Sequence, residues 1–320
     1  MTMRLVDRIG RRLKLRDLHI LLAVSERGSM AKAAHDLAIS QPVVSKTISD
    51  LEGTIGVRLL DRSRQGAVAT PYGRALLRRS IAAFDELREA VREIEFLTEP
   101  TSGEVRVGAL VAMMAGLLPA AIHNIRGQYP QLTIHVRQLI TSPDVYEHLR
   151  KRTVDFIVGR VLSRRREKDL NVETLFDEPL FIVAGRRSKW ANRRKMAIAD
   201  LSKESWILPE PDTEVGAIVA DIFHASGLEV PHPAVVCSSI EMYWALLPTG
   251  NYLALLPRSL LRFSTHRAII KAWPAPMPLQ LRPVGIETLK NRTLSPAAQL
   301  FIDRIREVAQ PLTKPLKATL

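Results

Sequence analysis

The sequence predicts an α/β protein with a small helical N-terminal domain, a long linker helix and a larger domain of alternating strands and helices. Three observations support this fold class. The length of 320 residues suits two or three domains. Apolar residues follow a helical period up to about residue 98, and beyond residue 104 short apolar runs alternate with helical stretches. The composition, 46% hydrophobic and 25% charged, is that of a folded globular protein.

The balance of charge indicates a polyanionic partner. Lysine and arginine outnumber aspartate and glutamate by 46 to 33, which gives a net charge of +13 and a pI near 10.2. Residues 1–79 carry 15 basic and 7 acidic side chains, whereas residues 80–100 carry 2 and 6. Nucleic acid is therefore the first expected partner, and a membrane surface is the second.

Neither export nor membrane insertion is expected. Cys237 is the only cysteine, which excludes an internal disulfide and a cysteine-rich zinc site. The basic start of the chain lacks the apolar run of a signal peptide, so we expect a cytoplasmic protein. Residues 107–125 approach the length of a membrane span, but they begin as an alternating strand and contain Pro119. We interpret them as a buried strand that runs into a helix.

Two helices are predicted before residue 40. The apolar run LHILLAV ends shortly before Gly28, which suits a helix C-cap. Ser29 can cap a second, shorter helix that carries Met30, Ala33 and Leu37 on one face. The two would pack together with a short turn between them.

A third helix is predicted with Ser40 as its cap and Pro42 in its first turn, where a missing N–H costs nothing. At about 100° per residue, its apolar residues fall in one buried arc, and short polar groups with one cation lie opposite or at the edge. Such a surface can enter the DNA major groove, where glutamine binds adenine, lysine binds guanine or phosphate, and a proline ring touches a thymine methyl. An ordinary solvated face is the alternative, but the preceding helix and turn favour DNA. The predicted DNA-binding residues are Ser40, Gln41, Pro42, Ser45, Lys46 and Ser49.

A two-stranded wing is predicted after the third helix, with its turn near Gly66. Arg62 and Arg64 flank this turn, and we expect both to hold the DNA backbone or the minor groove. Thr70 and Pro71 form a cap and first-turn pair that opens the next helix.

The run AKAAHDLAISQPVVSKTISDLEGTIGVRLLDR, followed by ATPYG, resembles the winged helix-turn-helix of the LysR-type transcriptional regulators. Leu60 departs from the family pattern, which usually has Phe, and this swap concerns core packing more than DNA binding. The resemblance implies a winged helix-turn-helix over residues 1–70, a linker helix for dimerisation over 71–100, and a two-lobed, periplasmic-binding-protein-like effector domain over 101–320. It also implies binding to a double-stranded operator as a homo-oligomer, a dimer through the linker helix and a tetramer beyond it. RNA polymerase is a further candidate partner.

The linker itself shows a heptad pattern of apolar or small residues spaced alternately by three and four. These residues are Leu77, Ser80, Phe84, Leu87, Val91, Ile94 and Thr98. Such a stripe favours a partner helix from a second chain, and packing against its own domain is the alternative.

Beyond the break at residues 100–103, the strand and helix alternation predicts mostly parallel sheets covered on both faces. We expect lobe I to comprise about residues 104–162 and 266–310, and lobe II about 163–265. Ligands of open α/β folds bind at the carboxyl ends of strands. The predicted effector-binding residues are Leu110, Val111, Thr141, Ser142, Arg160, Pro209 and Glu210. The run ALVAMM offers no hydroxyl after the first strand, where several relatives present Ser or Thr, so an apolar or neutral effector becomes a candidate.

Enzymatic function is not expected, and neither is a cofactor or a metal. Ser29 to Lys32 matches the S-x-x-K pattern of serine acyl enzymes, but the companion K-T-G is missing. Two other non-enzymatic functions are considered. A nonspecific architectural DNA-binding protein would explain the charge but not a two-lobed domain, and a solute-binding protein would need export and no helix-turn-helix.

Overall fold

The computed structural model describes residues 12–63, 66–99, 101–140, 144–161, 167–275 and 283–313. The chain divides into two compact units, Met1–Ala90 and Val91–Leu320. The boundary between them falls inside one long helix. Arg64, Thr141 and Ser142, which the sequence predicted as site residues, lie outside the described residues.

The first unit contains three short helices, a two-stranded wing and most of a long helix. In chain order these are α1 (Leu15–Arg27), α2 (Met30–Asp36), α3 (Gln41–Ile55), β1 (Leu60–Ser63), β2 (Gly66–Ala69) and α4 (Pro71–Thr98). β1 and β2 pair in antiparallel register. The fold class predicted for this region is confirmed.

Local sequence signals determine where these helices begin and end. Gly28 and Gly56 adopt φ angles of 61° and 86° and terminate α1 and α3 in the left-handed conformation. Ser29 caps α2 by accepting a hydrogen bond from the Lys32 amide. The Ser40 hydroxyl makes no capping hydrogen bond at the start of α3, which differs from our expectation. The core between the helices contains Leu21, Val24, Val44, Ile48 and Leu51.

The start of α4 is fixed by close contacts to the chain before the wing. The Thr70 hydroxyl donates to the Arg58 carbonyl at 2.8 Å and accepts from the Gly73 amide at 3.0 Å. A Cβ at Gly73 would lie 2.0 Å from the Leu59 carbonyl oxygen, so only glycine fits here. The helix is therefore joined rigidly to the wing region.

The second unit begins with the end of α4 and contains two five-stranded sheets. Its first half contains β3 (Ser102–Leu110), α5 (Val111–Met114), α6 (Leu117–Arg126), β4 (Gln131–Leu139), α7 (Glu147–Arg150), β5 (Phe156–Arg160), β6 (Leu170–Asp177) and β7 (Leu180–Gly185). Its second half contains β8 (Trp206–Leu208), α8 (Glu214–Ala225), β9 (Val235–Val236), α9 (Ile240–Leu246), β10 (Leu253–Pro257), α10 (Arg258–Phe263), β11 (Ile270–Pro274), β12 (Pro283–Leu289) and α11 (Pro296–Thr313).

Each sheet combines parallel and antiparallel pairs. The lobe I sheet has the order β4-β3-β5-β12-β6, and the lobe II sheet has the order β11-β7-β10-β8-β9. In lobe I, β3 runs parallel to β4 and β5, while β12 runs antiparallel to β5 and β6. In lobe II, β8 is parallel to β10 and β9, while β7 is antiparallel to β10 and β11. The expectation of mostly parallel sheets is wrong for these strands.

The observed strand pairing also places both boundaries between the lobes at positions that differ from the predicted ones. We expected residues 163–265 in lobe II, but β6 pairs with β12 and so belongs to the lobe I sheet. We expected residues 266–310 in lobe I, but β11 pairs with β7 in the lobe II sheet. The chain therefore passes between the sheets after β6 and again between β11 and β12.

Each lobe has its own apolar core. Lobe I packs α6 and α11 against its sheet around Leu117, Phe156 and Phe301. One core of lobe II contains Trp206 and Phe223, whose rings meet edge to face with centroids 5.5 Å apart. Residues 107–125 form the end of β3, α5 and most of α6, and no helix in the described part of the chain is long and apolar enough to span a membrane.

Candidate functional site

The third helix, α3, exposes the residues that the sequence predicted for DNA contact. Val44, Ile48 and Leu51 are buried, so the opposite side of the helix faces outward. Gln41, Pro42, Lys46 and Ser49 are exposed together with Ser40 before them, and Ser45 is half-buried. This surface has a cation, an amide, hydroxyls and a proline ring at the N-terminal half of one helix.

Arg62 on β1 lies against this surface. Its guanidinium donates to the Ser45 hydroxyl at 3.5 Å and to the Ser49 hydroxyl at 3.4 Å, and it pairs with Glu52 at 3.3 Å. The three partners are spaced by four and three residues, so they lie on one helix face. Arg62 thus joins the wing to α3, whereas the sequence predicted only a DNA contact from a position beside the wing turn.

Glu52 holds the chain between α3 and the wing. Its Oε1 accepts hydrogen bonds from the Leu59 amide at 2.8 Å and from the Leu60 amide at 3.2 Å. The opposite strand is held as well, because the Ala67 amide donates to the Gly28 carbonyl at 2.8 Å. These bonds fix the wing relative to the helix-turn-helix.

Two exposed apolar residues near this surface were missed. Val43 lies between Pro42 and Val44 and is 39% exposed, and Val68 on the second wing strand is 67% exposed. Their neighbours in sequence are apolar or small, so no change of polarity along the chain marks either residue as exposed. An apolar side chain at such a place can contact a thymine methyl or a sugar.

In lobe I, the carboxyl ends of the parallel strands form a mainly apolar edge. Val111 is half-buried at the start of α5, and Ile140, directly after β4, is 79% exposed. Leu110 is less available than expected, because its side chain fills the space beside Gly159, where a Cβ would lie 2.7 Å from Leu110 Cγ. Arg160 ends β5 and is half-buried.

In lobe II, the carboxyl ends of β8 and β9 bring polar groups together. Pro209 is buried, and Glu210 accepts a short hydrogen bond from the Ser238 hydroxyl. This bond lowers the pKa of Glu210 below its usual value, so the carboxylate stays ionised. The Tyr243 hydroxyl donates to the Cys237 carbonyl at 2.8 Å, and burial raises the pKa of Tyr243.

Two helices begin at the same edge of lobe II. The residues that cap them were not predicted from the sequence. Thr213 accepts from the Gly216 amide at the start of α8, and Ser239 accepts from the Met242 amide at the start of α9. The signal was a hydroxyl residue directly before an apolar helical run. Neither Ser238 nor Ser239 was among the predicted effector residues.

The two edges adjoin each other at α10. This helix follows the carboxyl end of β10, and it contacts α5, which follows the carboxyl end of β3. A Cβ at Gly116 would lie 3.0 Å from the Ser259 carbonyl oxygen, so the elements are in close contact. β8 and β9 run parallel to β10 in one sheet. The carboxyl ends of the parallel strands in both sheets therefore lie on this side.

A buried carboxylate is located where the chain first passes between the lobes. Glu178 follows β6, and its two oxygens accept from the Ser259 amide at 3.0 Å and the Ser259 hydroxyl at 2.5 Å. Burial raises the pKa of Glu178 above its usual value, and the hydrogen bonds from Ser259 oppose that shift. Arg160 is close enough to act electrostatically on this carboxylate.

Comparison with known families agrees with this architecture. The family described as "Bacterial regulatory helix-turn-helix protein, lysR family" matches residues 15–74. The family described as "LysR substrate binding domain" matches residues 98–310. Together the two matches cover the helix-turn-helix, the wing and both lobes.

Individual relatives match over nearly the whole chain. The transcriptional regulator YdcI of Escherichia coli K12 is 29% identical over 301 residues, which cover 93% of this chain and 96% of that protein. The transcriptional regulator GbpR of Azospirillum brasilense is 28% identical over 296 residues, which cover 92% and 86%.

Solved structures share the fold. A full-length OxyR from Pseudomonas aeruginosa superposes with a TM-score of 0.64 at 21% identity, covering 96% of this chain and 100% of that one. Full-length CbnR in complex with its target DNA superposes with a TM-score of 0.53 at 22% identity, covering 93% and 100%. The chain belongs to the LysR family of bacterial helix-turn-helix transcriptional regulators.

Proposed function

We propose that the protein regulates transcription by binding a specific operator through α3 and the wing, under the control of a small-molecule effector bound between its lobes. The observation that carries the proposal is the surface of α3. Gln41, Pro42 and Lys46 are exposed on the side opposite the buried stripe, which is how a recognition helix presents itself to the major groove.

In this proposal the residues have distinct roles. Gln41, Pro42, Ser45 and Lys46 read base edges, with Ser40 and Ser49 beside them. Arg62 contacts the DNA backbone and, through its hydrogen bonds to Ser45 and Ser49, limits the rotamers that these hydroxyls adopt. Pre-ordering of this kind reduces the entropy lost on binding. Arg64 is assigned to the backbone from the sequence alone.

Substitution of Lys46 tests the recognition helix. Lys46→Ala should weaken operator binding and reduce the salt slope of binding by about 1 for each subunit bound, because each subunit loses one contact of a cation with the DNA. Lys203→Ala removes the same charge from an exposed position in lobe II and serves as the matched control. Gel shifts measure affinity, and circular dichroism confirms that both variants are folded. Equal operator affinity for wild type and Lys46→Ala would remove α3 as the recognition helix.

The linker helix supports assembly of a dimer. Its heptad stripe is divided, because Leu77 and Ser80 are buried in the first unit while Val91 and Ile94 are 54% and 63% exposed. An exposed apolar stripe on a long helix is typical of a helix that pairs with another chain. A dimer would present two copies of α3 to a pseudo-palindromic operator, and membership of the family supports the proposal that dimers pair into a tetramer.

The effector is proposed to bind where the carboxyl ends of the strands from both lobes adjoin. Val111, Arg160, Pro209 and Glu210 remain the proposed residues, to which we add Ser238. An ionised Glu210 on one edge and apolar side chains on the other favour a neutral or cationic effector with an apolar part over a simple carboxylate. Thr141 and Ser142 stay in the proposal on sequence grounds.

Thermal stability measures effector binding because a ligand that binds only the folded state raises Tm. Neutral compounds that have both a polar and an apolar part should raise the Tm of the wild type. Glu210→Gln should change which of these compounds raise Tm. Glu229→Gln changes an exposed carboxylate away from this edge and is the control. If only dicarboxylates raised Tm, and did so equally in both variants, the proposed effector class would be wrong.

A further inference from the structure

Lobe II has a strongly uneven distribution of charge. Residues 185–195 (GRRSKWANRRK) contain six basic side chains and residues 258–271 contain four, and neither segment has an acidic residue. The nine acidic residues of the span 178–275 all lie elsewhere, at position 178 and between positions 200 and 241. The positive charge is therefore gathered in two segments that are far apart in sequence.

The structure brings these two segments together at the β11 edge of the lobe II sheet. The Lys271 amine donates to the carbonyls of Ala191 and Arg193 at 2.5 and 2.9 Å. The Trp273 indole donates to the same Arg193 carbonyl at 3.1 Å, and the Arg186 amide donates to the Ile269 carbonyl at 3.0 Å. The segment 186–195 is thus held in a defined fold against β11.

Five cations in and beside this segment are exposed and, among the described residues, have no carboxylate within ion-pair distance. We name them the basic edge: Arg186, Arg187, Arg194, Lys195 and Arg267. Their neighbours Lys189 and Arg193 do pair, with Glu204 and Asp200.

Several other cations of the domain are neutralised by ion pairs. Arg150 in lobe I pairs with Glu147, Glu167 and Asp169, and Arg306 pairs with Glu173 and Asp303. Holding several unpaired cations on one folded segment costs electrostatic repulsion, which a polyanion relieves. The basic edge is therefore the part of the domain best suited to an anionic partner.

We propose that the basic edge contacts backbone phosphates of the DNA duplex to which the protein is bound, outside the bases read by α3. Four of its five cations are arginines, whose planar guanidinium binds phosphate through two hydrogen bonds. A contact of this kind adds affinity and a stronger salt dependence without sequence preference. The inference rests on the operator binding proposed above.

The test compares two triple variants of the full-length chain. The first is Arg187→Ala, Arg194→Ala and Lys195→Ala in the basic edge. The matched control is Arg137→Ala, Lys151→Ala and Lys168→Ala, which removes three exposed cations from lobe I. Affinity is measured against salt concentration on a duplex limited to the protected site and on one extended by about 20 base pairs at each end, roughly two helical turns.

We expect the basic-edge variant to lose about 2 to 3 units of salt slope on the extended duplex for each subunit whose basic edge contacts the DNA, at about 0.9 per phosphate contact. The control variant should retain the wild-type slope, and both should protect the same site in a footprint. Equal slopes for wild type and the basic-edge variant on both duplexes would overturn the proposal. Unchanged DNA binding with loss of transcription by purified RNA polymerase would also overturn it, and would assign the basic edge to an acidic protein surface.

The proposed function and this inference fail in different ways. If wild type protects no defined site, operator recognition itself is wrong. If wild type protects a site and Lys46→Ala abolishes that protection, while the basic-edge variant matches wild type in every slope, only the basic-edge proposal is wrong.

Discussion

Glu52 of α3 and Arg62 of β1 form an ion pair, with Arg62 Nη2 3.3 Å from Glu52 Oε2. The same carboxylate accepts the amides of Leu59 and Leu60 through its other oxygen. One side chain therefore fixes both the start of the wing and the arginine that lies over α3. Glu52 thus links the position of the wing to the surface of α3 that we propose for DNA recognition.

Glu52→Ala should lower the free energy of unfolding by about 1 to 3 kcal/mol, because it leaves the part-buried amides of Leu59 and Leu60 without their acceptor. Asp50→Ala, at an exposed position of the same helix, should change it by less than about 0.5 kcal/mol. Urea denaturation followed by circular dichroism measures both. If Glu52→Ala and Asp50→Ala had the same free energy of unfolding, Glu52 would not hold the wing.

Charge introduced into the exposed stripe of α4 should separate the proposed dimer. Val91→Lys with Ile94→Lys places like charges where two apolar stripes would meet, so sedimentation should show a smaller species at micromolar concentration. Val230→Lys, at another exposed apolar position, should leave assembly unchanged. A variant that sediments like wild type would exclude this stripe as the dimer contact.

Glu178 should make stability depend on pH in a defined direction. Its pKa in the folded protein is raised above the ordinary value of 4.5 by burial, so the folded state binds more protons than the unfolded state between the two values. The stabilisation is complete below about pH 4.5 and is lost as pH rises through the folded-state pKa.

Glu178→Gln removes this titration. The difference in Tm between the variant and wild type should therefore increase in favour of the variant as pH rises from about 4.5. Glu229→Gln, at an exposed position, should show no such trend. A constant difference for Glu178→Gln across the pH range would contradict the raised pKa.

Arg292 and Asp155 form a buried ion pair at 2.7 Å, with side chains 1% and 2% exposed. Asp155 also accepts the Arg106 amide at 2.7 Å, and Arg92 of the linker helix lies 3.8 Å from it. Removal of one partner of such a pair leaves a buried charge poorly compensated. Arg292→Met should therefore cost about 3 to 5 kcal/mol of unfolding free energy.

The matched control is Arg106→Met, which breaks the more exposed pair with Glu104 and should cost about 1 kcal/mol or less. Urea denaturation compares the two variants. Equal losses of unfolding free energy in the two variants would show that burial does not increase the contribution of the Arg292–Asp155 pair to stability.

The N-terminal helices were predictable because their signals are local. Gly28, Ser29 and Pro42 each mark a boundary within one turn of where the structure has it. The exposed face of α3 was predictable because apolar residues recur along it with the helical period of 3.6 residues. The wing and the heptad stripe of the linker helix were also predicted from local residues, and the resemblance to a family added their proposed roles.

The lobe boundaries were not predictable from local pattern, since strand pairing there joins distant residues. Val172 lies opposite Glu287, and Ala272 lies opposite Val183. The alternation of side chains along β6 or β11 does not indicate which sheet the strand joins. The link from Arg62 to α3 escaped prediction for the same reason, since it depends on the wing folding back over the helix.

A footprint of the purified protein on the DNA upstream of its own gene, at two salt concentrations, tests operator recognition directly. We expect a protected pseudo-palindrome that persists at the higher salt, because base contacts from α3 add to the salt-sensitive phosphate contacts. Diffuse protection that disappears at the higher salt would contradict this expectation, and would describe a nonspecific DNA-binding protein instead.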